Sequence, residues 1–265
     1  MKTLVLANQK GGVGKSAVGS QLAYYLAEKG KRVLFLDFDH QKNSTKPIVK
    51  SGRAAVASFH TTDLLLGQAG VMPDGNFVIV PGDDSLSSLE RQPDKHNIIA
   101  NALKAFLEKY DAQFDVCIVD TNPNPDIRYA AALITGDFVL SPIQLNQEAI
   151  DGIGSLLNHS RYGYRKIKQA INPKLELIGI LPNMVEPTPF QRANFAQLAK
   201  HFAQLLIATG NPDMPYAHIP KRSSIAEAQA EGAFLATVKK TAAREAWREI
   251  KPSFDVIAQR MKLEV

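Results

Sequence analysis

The stretch Asn8-Gln9-Lys10-Gly11-Gly12-Val13-Gly14-Lys15-Ser16 follows the short apolar run Leu4 to Ala7 and precedes a helical pattern. A strand that hands over through glycines to a helix leaves few options for the fold around it. Gly11, Gly12 and Gly14 have no Cβ, so the backbone there can take positive φ and turn its N–H groups inward around a polyphosphate. A helix beginning near Ser16 aims its unpaired N–H groups and positive partial charge at the same point. Lys15 then reaches the terminal phosphates, and the Ser16 hydroxyl is placed to ligate Mg²⁺. Val13 and Ala17 complete the cradle.

The 265 residues suffice for one large α/β domain or two small ones. Nothing divides them, so residues 1–265 are read as a single domain. With 45% hydrophobic residues and turn residues spread evenly, an ordered chain is expected. No apolar run approaches the ~18 residues that span a bilayer. The N-terminus enters a strand at once, so a cytoplasmic protein without a cleavable signal is expected. The single cysteine, Cys117, lies within Val116-Cys117-Ile118-Val119 and reads as a small buried hydrophobe. One thiol cannot supply the ligands of an iron–sulfur cluster. The net charge of +5 permits an anionic partner without demanding one.

Apolar residues Val18, Leu22, Tyr25 and Leu26 predict a helix over 16–29, stopped by Gly30. Val33 to Leu36 reads as a buried parallel strand ending in Asp37-Phe38-Asp39, one strand from the glycine loop. Doubly wound sheets put their ligands at such strand ends. Residues 46–62 lack periodicity and are expected to form a loop with a short helix. Phe77 to Val80 is a further strand. A helix follows over 97–110, with Ile98, Ala102, Leu103, Phe106 and Leu107 on its stripe. Val116 to Val119 then ends in Asp120, a carboxylate suited to holding an Mg²⁺ shell through water. Helices over 126–136 and 146–168 flank a strand over 138–142, and Leu177 to Leu181 is a last predicted strand, ending Pro182-Asn183. The alternation throughout predicts a doubly wound, mainly parallel α/β sheet with helices on both faces.

The form Lys10-Gly11-Gly12-Val13-Gly14-Lys15-Ser16, with its second lysine at the loop entrance, resembles the deviant Walker A motif of the ParA/MinD (SIMIBI-class) P-loop ATPases. The order of strands resembles that family over most of the chain, most nearly the small ParA-type partition ATPases without an N-terminal helix-turn-helix. The resemblance implies ATP and Mg²⁺ as cofactors and a slow ATPase. It also implies an ATP-sandwiched homodimer that binds DNA non-specifically at the nucleoid, and a centromere-binding, ParB-like partner that triggers hydrolysis. By the same resemblance Asp39 orients the attacking water, Asp37 supports Mg²⁺, and Lys10 serves the neighbouring subunit's nucleotide. Asn183 and Pro220 border the adenine, although Asn183 equally reads as a strand-capping turn residue. Two departures stand out: His40 replaces a proline after Asp39, and Asn122 intervenes after Asp120-Thr121.

Near the carboxyl end Lys240, Arg244, Arg248 and Lys251 share one helical face, and with Arg222 they are the expected DNA surface. The alternative is a solvated face. Trp247, Ile250, Phe254, Ile257 and Met261 form an apolar stripe read as core, with Pro252 expected to kink or restart the helix. Were that stripe a lipid anchor, a MinD-like membrane-associated cell-division regulator would be the alternative. A metabolic ATP-dependent ligase on the same fold is a third reading.

Overall fold

The computed structural model describes residues 1–92 and 95–265. The apolar runs pair as β1 (Lys2–Leu6), β2 (Val33–Asp37), β3 (Ala55–Val56), β4 (Phe77–Val80), β5 (Val116–Asp120), β6 (Phe138–Gln144) and β7 (Glu176–Asn183). Among the described residues they make one seven-stranded sheet, ordered β3-β4-β2-β5-β1-β6-β7, with every pairing parallel. A two-stranded antiparallel hairpin of β8 (Ala208–Asn211) and β9 (Met214–Tyr216) stands apart.

The period of two along each strand sorts the core. Leu4, Leu6, Val33, Phe35, Ile79 and Ile118 pack on one face; Val5, Leu34, Leu36, Val78, Cys117 and Val119 pack on the other. The first face is covered by α1 (Lys15–Glu28), α2 (Thr45–Ser51), α9 (Ser223–Glu231) and α10 (Thr241–Arg260). The second is covered by α3 (Thr61–Leu65), α4 (His96–Lys109), α5 (Ile127–Thr135) and α7 (Tyr164–Ala170). α6 (Gln147–Asn158) and α8 (Pro189–Phe202) close a third cluster around Ile143, Ile153 and Ile180.

Four expectations are corrected. Residues 46–62 hold α2, the edge strand β3 and the start of α3 rather than a loop with one helix. On α4 the buried stripe is Ile99, Leu103, Phe106, Leu107 and Tyr110, while Ile98 is 47% exposed, because a strip spaced by three and four passes through 99. The long helix over 146–168 is two, α6 and α7. The break turns at Gly163, whose N–H donates to the His159 carbonyl at 3.0 Å, and a Cβ there would lie 2.5 Å from the His159 nitrogen. Finally, of the kink or fresh start expected at Pro252, the fresh start does not occur, since α10 runs through it as one helix. Interior proline costs ~3 kcal/mol or more. Ile250, Phe254, Ile257 and Met261, each at most 1% exposed, bury enough surface to exceed that at about 1.5–3 kcal/mol per side chain.

Candidate functional site

The strand order decides what meets what. β5 lies between β1 and β2, so Asp120 is in register with both Leu6 and Asp37. Asp37 is therefore two strands from the glycine loop, not one, and Asp120 is its immediate neighbour. Both carboxylates are fully buried at the carboxyl edge of the sheet.

The loop has the predicted shape with one change. Gly12 and Gly14 take φ of 74° and 82°, the left-handed region, whereas Gly11 does not. A Cβ on Gly14 would lie 2.3 Å from the Asn183 side-chain nitrogen. That nitrogen donates to the Val13 carbonyl at 2.7 Å, so Asn183, 3% exposed, ties the end of β7 to the loop. Gly11, Gly12, Val13, Gly14, Lys15, Ser16 and Ala17 line a cavity of about 500 Å³ together with Asp39, His40 and Gln41. An adjoining apolar cavity of about 570 Å³ shares Ala17 and Gln229 with it and is bordered by Asn183, Pro220, Ile250 and Phe254. A polar compartment opening into an apolar one matches the two ends of a nucleotide.

Lys15 is buried and donates to the Asn8 carbonyl at 3.2 Å. Desolvation pulls its pKa down, opposed by the nearby Asp120 and Asp39 charges. A desolvated ammonium at the helix start is placed to receive an anion. Lys10 instead leaves its own cavity and donates to Glu148 at 2.5 Å and to Asn146 at 3.4 Å, both beyond β6.

The carboxylates divide the work. Asp37 Oδ1 accepts the Asp39 N–H at 3.0 Å, and Oδ2 accepts the N–H and hydroxyl of Thr45 at 2.8 and 2.7 Å. Those donors use three of the carboxylate's four acceptor sites, so Asp37 closes the 37–45 turn and keeps one site on Oδ1. Burial and the Asp120 charge push its pKa up to about 7. Asp120 is also raised, chiefly by burial. Its Oδ2 accepts the Ser44 hydroxyl at 2.6 Å, the Ser16 hydroxyl faces it, and its Oδ1 has no partner among the described residues. An orphaned buried carboxylate oxygen beside Ser16 and below the loop fits a hydrated divalent cation. Ser44 was not anticipated, since a serine among loop residues carries no distinguishing signal until β5 is set beside α2.

Asp39, 6% exposed, borders the cavity and caps Gln41 with Oδ1 at 3.0 Å. His40 Nδ1 is 3.5 Å from the same oxygen. Asn122 is fully buried and donates to Asp126 at 3.0 Å. Asp126 caps α5 and pairs with the buried Arg128, which in turn donates to the Phe38 carbonyl at 3.3 Å. The loop after β5 is thereby tied to the segment that carries Asp39.

The expected DNA surface is largely neutralised. Lys240 pairs with Glu227 at 2.9 Å, Lys251 with Asp255 at 2.7 Å and Arg222 with Glu249 at 2.8 Å. Arg244 donates to the Lys239 carbonyl, and Arg248 is exposed with no ion pair among the described residues. The apolar stripe of α10 lies in the core, as expected. No helix among the described residues is long and apolar enough to cross a membrane.

The model of the AAA domain family matches residues 1–177. Protein IncC of Escherichia coli is 34% identical over 99% of this chain and 71% of its own length. The chromosome-partitioning ATPase Soj of Thermus thermophilus is 31% identical over 89% of this chain and 88% of its own. In fold, the chain resembles a Cyanothece McdA variant solved in complex with ATP, with a TM-score of 0.77 at 21% identity, covering 100% of this chain and 98% of that one.

Proposed function

The chain belongs to the AAA domain family, among its ParA/MinD-type P-loop ATPases, and from that premise we propose that it is a Mg²⁺-dependent partition ATPase. In this reading ATP joins two copies, the dimer binds DNA without sequence preference, and a ParB-like partner stimulates hydrolysis and release. The observation that carries the reading is the division between the two lysines: Lys15 sits inside its own phosphate cavity and Lys10 points out of it. A cation held outside its own loop by an exposed pair with Glu148 can exchange that partner for a polyphosphate across an interface, where two such anions would otherwise repel.

Bound MgATP supplies the transferable phosphoryl group and a cation that draws off developing charge. The loop N–H groups and Lys15 hold the phosphates. Ser16 and Asp120 would hold the cation with its waters, and the unpartnered Asp120 oxygen is what suits them to it. Asp39 orients water from the cavity wall, and Asn183 and Pro220 border the base in the apolar cavity. Because Asp39 sits on a turn, positioning of the water is incomplete without a partner and basal turnover is slow. The membrane-bound alternative loses its motive, since Phe254, Ile257 and Met261 are committed to the core.

Sedimentation tests the reading. Asp39→Ala should bind ATP, stall hydrolysis and dimerise with ATP; adding Lys10→Ala should abolish the dimer. Lys15→Ala should abolish tight ATP binding. An unchanged dimer in the double variant would refute the cross-subunit role, and a wild type that ignores ATP would refute the whole.

A further inference from the structure

The excess charge of this chain is not spread over it. Lys and Arg number 31 against 26 Asp and Glu, a net +5. Residues 152–175 contain Arg161, Arg165, Lys166, Lys168 and Lys174 and no acid, so this segment alone carries +5 and the rest of the chain balances to zero. It is the end of α6, the break and α7.

On the α10 stripe Lys240 and Lys251 are ion-paired while Arg244 and Arg248 are not; at this break the cations meet neutral acceptors. Arg165 donates to the Asn158 side chain at 3.0 Å and Lys166 to the Ser160 carbonyl at 2.7 Å, both neutral acceptors. Arg161 lies over the Tyr162 ring, 5.0 Å from its centroid. None of the three is ion-paired with a described residue, and all three are exposed. Arg165 and Lys166 form one wall of a cleft of about 350 Å³; Asn158, His159 and Ser160 form the other. The N–H groups of Arg161 and Tyr162 donate to His159 Nδ1 at 3.3 and 3.2 Å, which leaves Nε2–H as the donor of that ring. The ring stacks on Tyr162 at 8°.

We propose that this basic cleft at the α6–α7 break, through Arg161, Arg165 and Lys166, is the surface that grips the phosphodiester backbone of DNA, in place of the α10 stripe. The proposal rests on the reading above that the ATP-bound protein binds DNA. Two forked guanidiniums, one of them over an aromatic ring and neither ion-paired with a described residue, suit regularly spaced phosphates, and each contact releases condensed counterions. On the α10 stripe Lys240 and Lys251, and before α9 Arg222, must each exchange a carboxylate to take a phosphate, which modestly reduces what the phosphate gains. The cleft is also wired to the nucleotide loop. α6 begins beside Glu148, the partner of Lys10, and Gln9 donates to the Ser155 carbonyl at 3.3 Å near its other end. One helix of ~18 Å therefore spans from the loop entrance to the cleft, and a shift at the loop moves both ends.

The test is retention of duplex DNA of two unrelated sequences against salt, with ATP, for the wild type, Arg161→Ala/Arg165→Ala/Lys166→Ala and Arg244→Ala/Arg248→Ala. The triple variant should weaken binding to both sequences more than tenfold and flatten the slope of log affinity against log salt by about 3 per protomer. The α10 double variant should keep the wild-type slope. ATP binding and melting temperature serve as folding controls, and Arg165→Gln/Lys166→Gln replaces the triple variant if it melts early. A wild-type slope in the triple variant overturns the proposal while the DNA reading stands. A wild type that never retains DNA defeats that reading itself and the proposal with it. Retention of phosphatidylglycerol vesicles instead of DNA, lost in the triple variant, would make the cleft a lipid surface and also overturn it.

Discussion

Ser44→Ala probes a contact at the site that no motif announced. The hydroxyl donates to Asp120 Oδ2 at 2.6 Å, both residues are fully buried, and the other Asp120 oxygen is already bare. A hydrogen bond to a buried charged group contributes about 1.5–3 kcal/mol, and its removal leaves the carboxylate with no hydroxyl on that side. For a chain of this size the nucleotide-free protein should melt roughly 3–12 °C lower. The sign with pH follows from Asp120 itself. Its pKa is raised in the folded state, so the folded state binds more protons than the unfolded one, and stability falls as pH rises above the unfolded carboxylate value. Ser44 favours the charged form, so its loss raises that pKa further and carries the fall to higher pH. The melting deficit should be greatest at the alkaline end of the titration, where Asp120 is charged, and shrink toward the worth of a neutral hydrogen bond, about 1 kcal/mol, at the acid end. Thermal denaturation followed by circular dichroism across the pH range in which the protein stays folded measures it. A variant that melts with the wild type at the alkaline end, or whose deficit does not change with pH, would refute the assignment of Ser44 as the donor that sustains a charged Asp120.

Gly14→Ala must hold a left-handed φ of 82° and set its methyl against Asn183, so it should lose the Asn183–Val13 hydrogen bond and bind ATP at least tenfold more weakly, as read by equilibrium binding of a fluorescent analogue. Wild-type affinity would mean that the tie from β7 does not shape the loop. Phe254→Ala removes a side chain 1% exposed that packs on Tyr25 and Trp247 and should cost about 3–5 kcal/mol in urea unfolding. A loss under about 1 kcal/mol would put that ring outside the core and reopen the lipid-anchor reading of α10.

Most of the fold was legible because its signals are local. Continuous Val, Leu and Ile runs between helical periods can only be buried parallel strands, and glycines before Lys15-Ser16 need the handover from strand to helix that the structure has. Asp37, Asp39 and Asp120 were identifiable as strand-end carboxylates for the same reason. The misreadings are also local. Ile98 and Ile99 are adjacent, and periodicity alone could not choose the face of α4; the split of α6 from α7 depends on a turn at Gly163 that a polar, basic stretch does not advertise.

What the sequence determined by itself was the chemistry available at the loop and the class of fold that can present it, since both follow from residue types a few positions apart. What only the tertiary structure decided was the order of the sheet and everything that order brings together. With β5 inserted between β1 and β2, Asp120 and not Asp37 became the neighbour of the loop, Ser44 found its acceptor 76 positions away, and Lys240, Lys251 and Arg222 met Glu227, Asp255 and Glu249. Hydrogen bonds and ion pairs act over a few ångströms, and the distance along the chain says nothing about which groups come that close until strands are laid side by side.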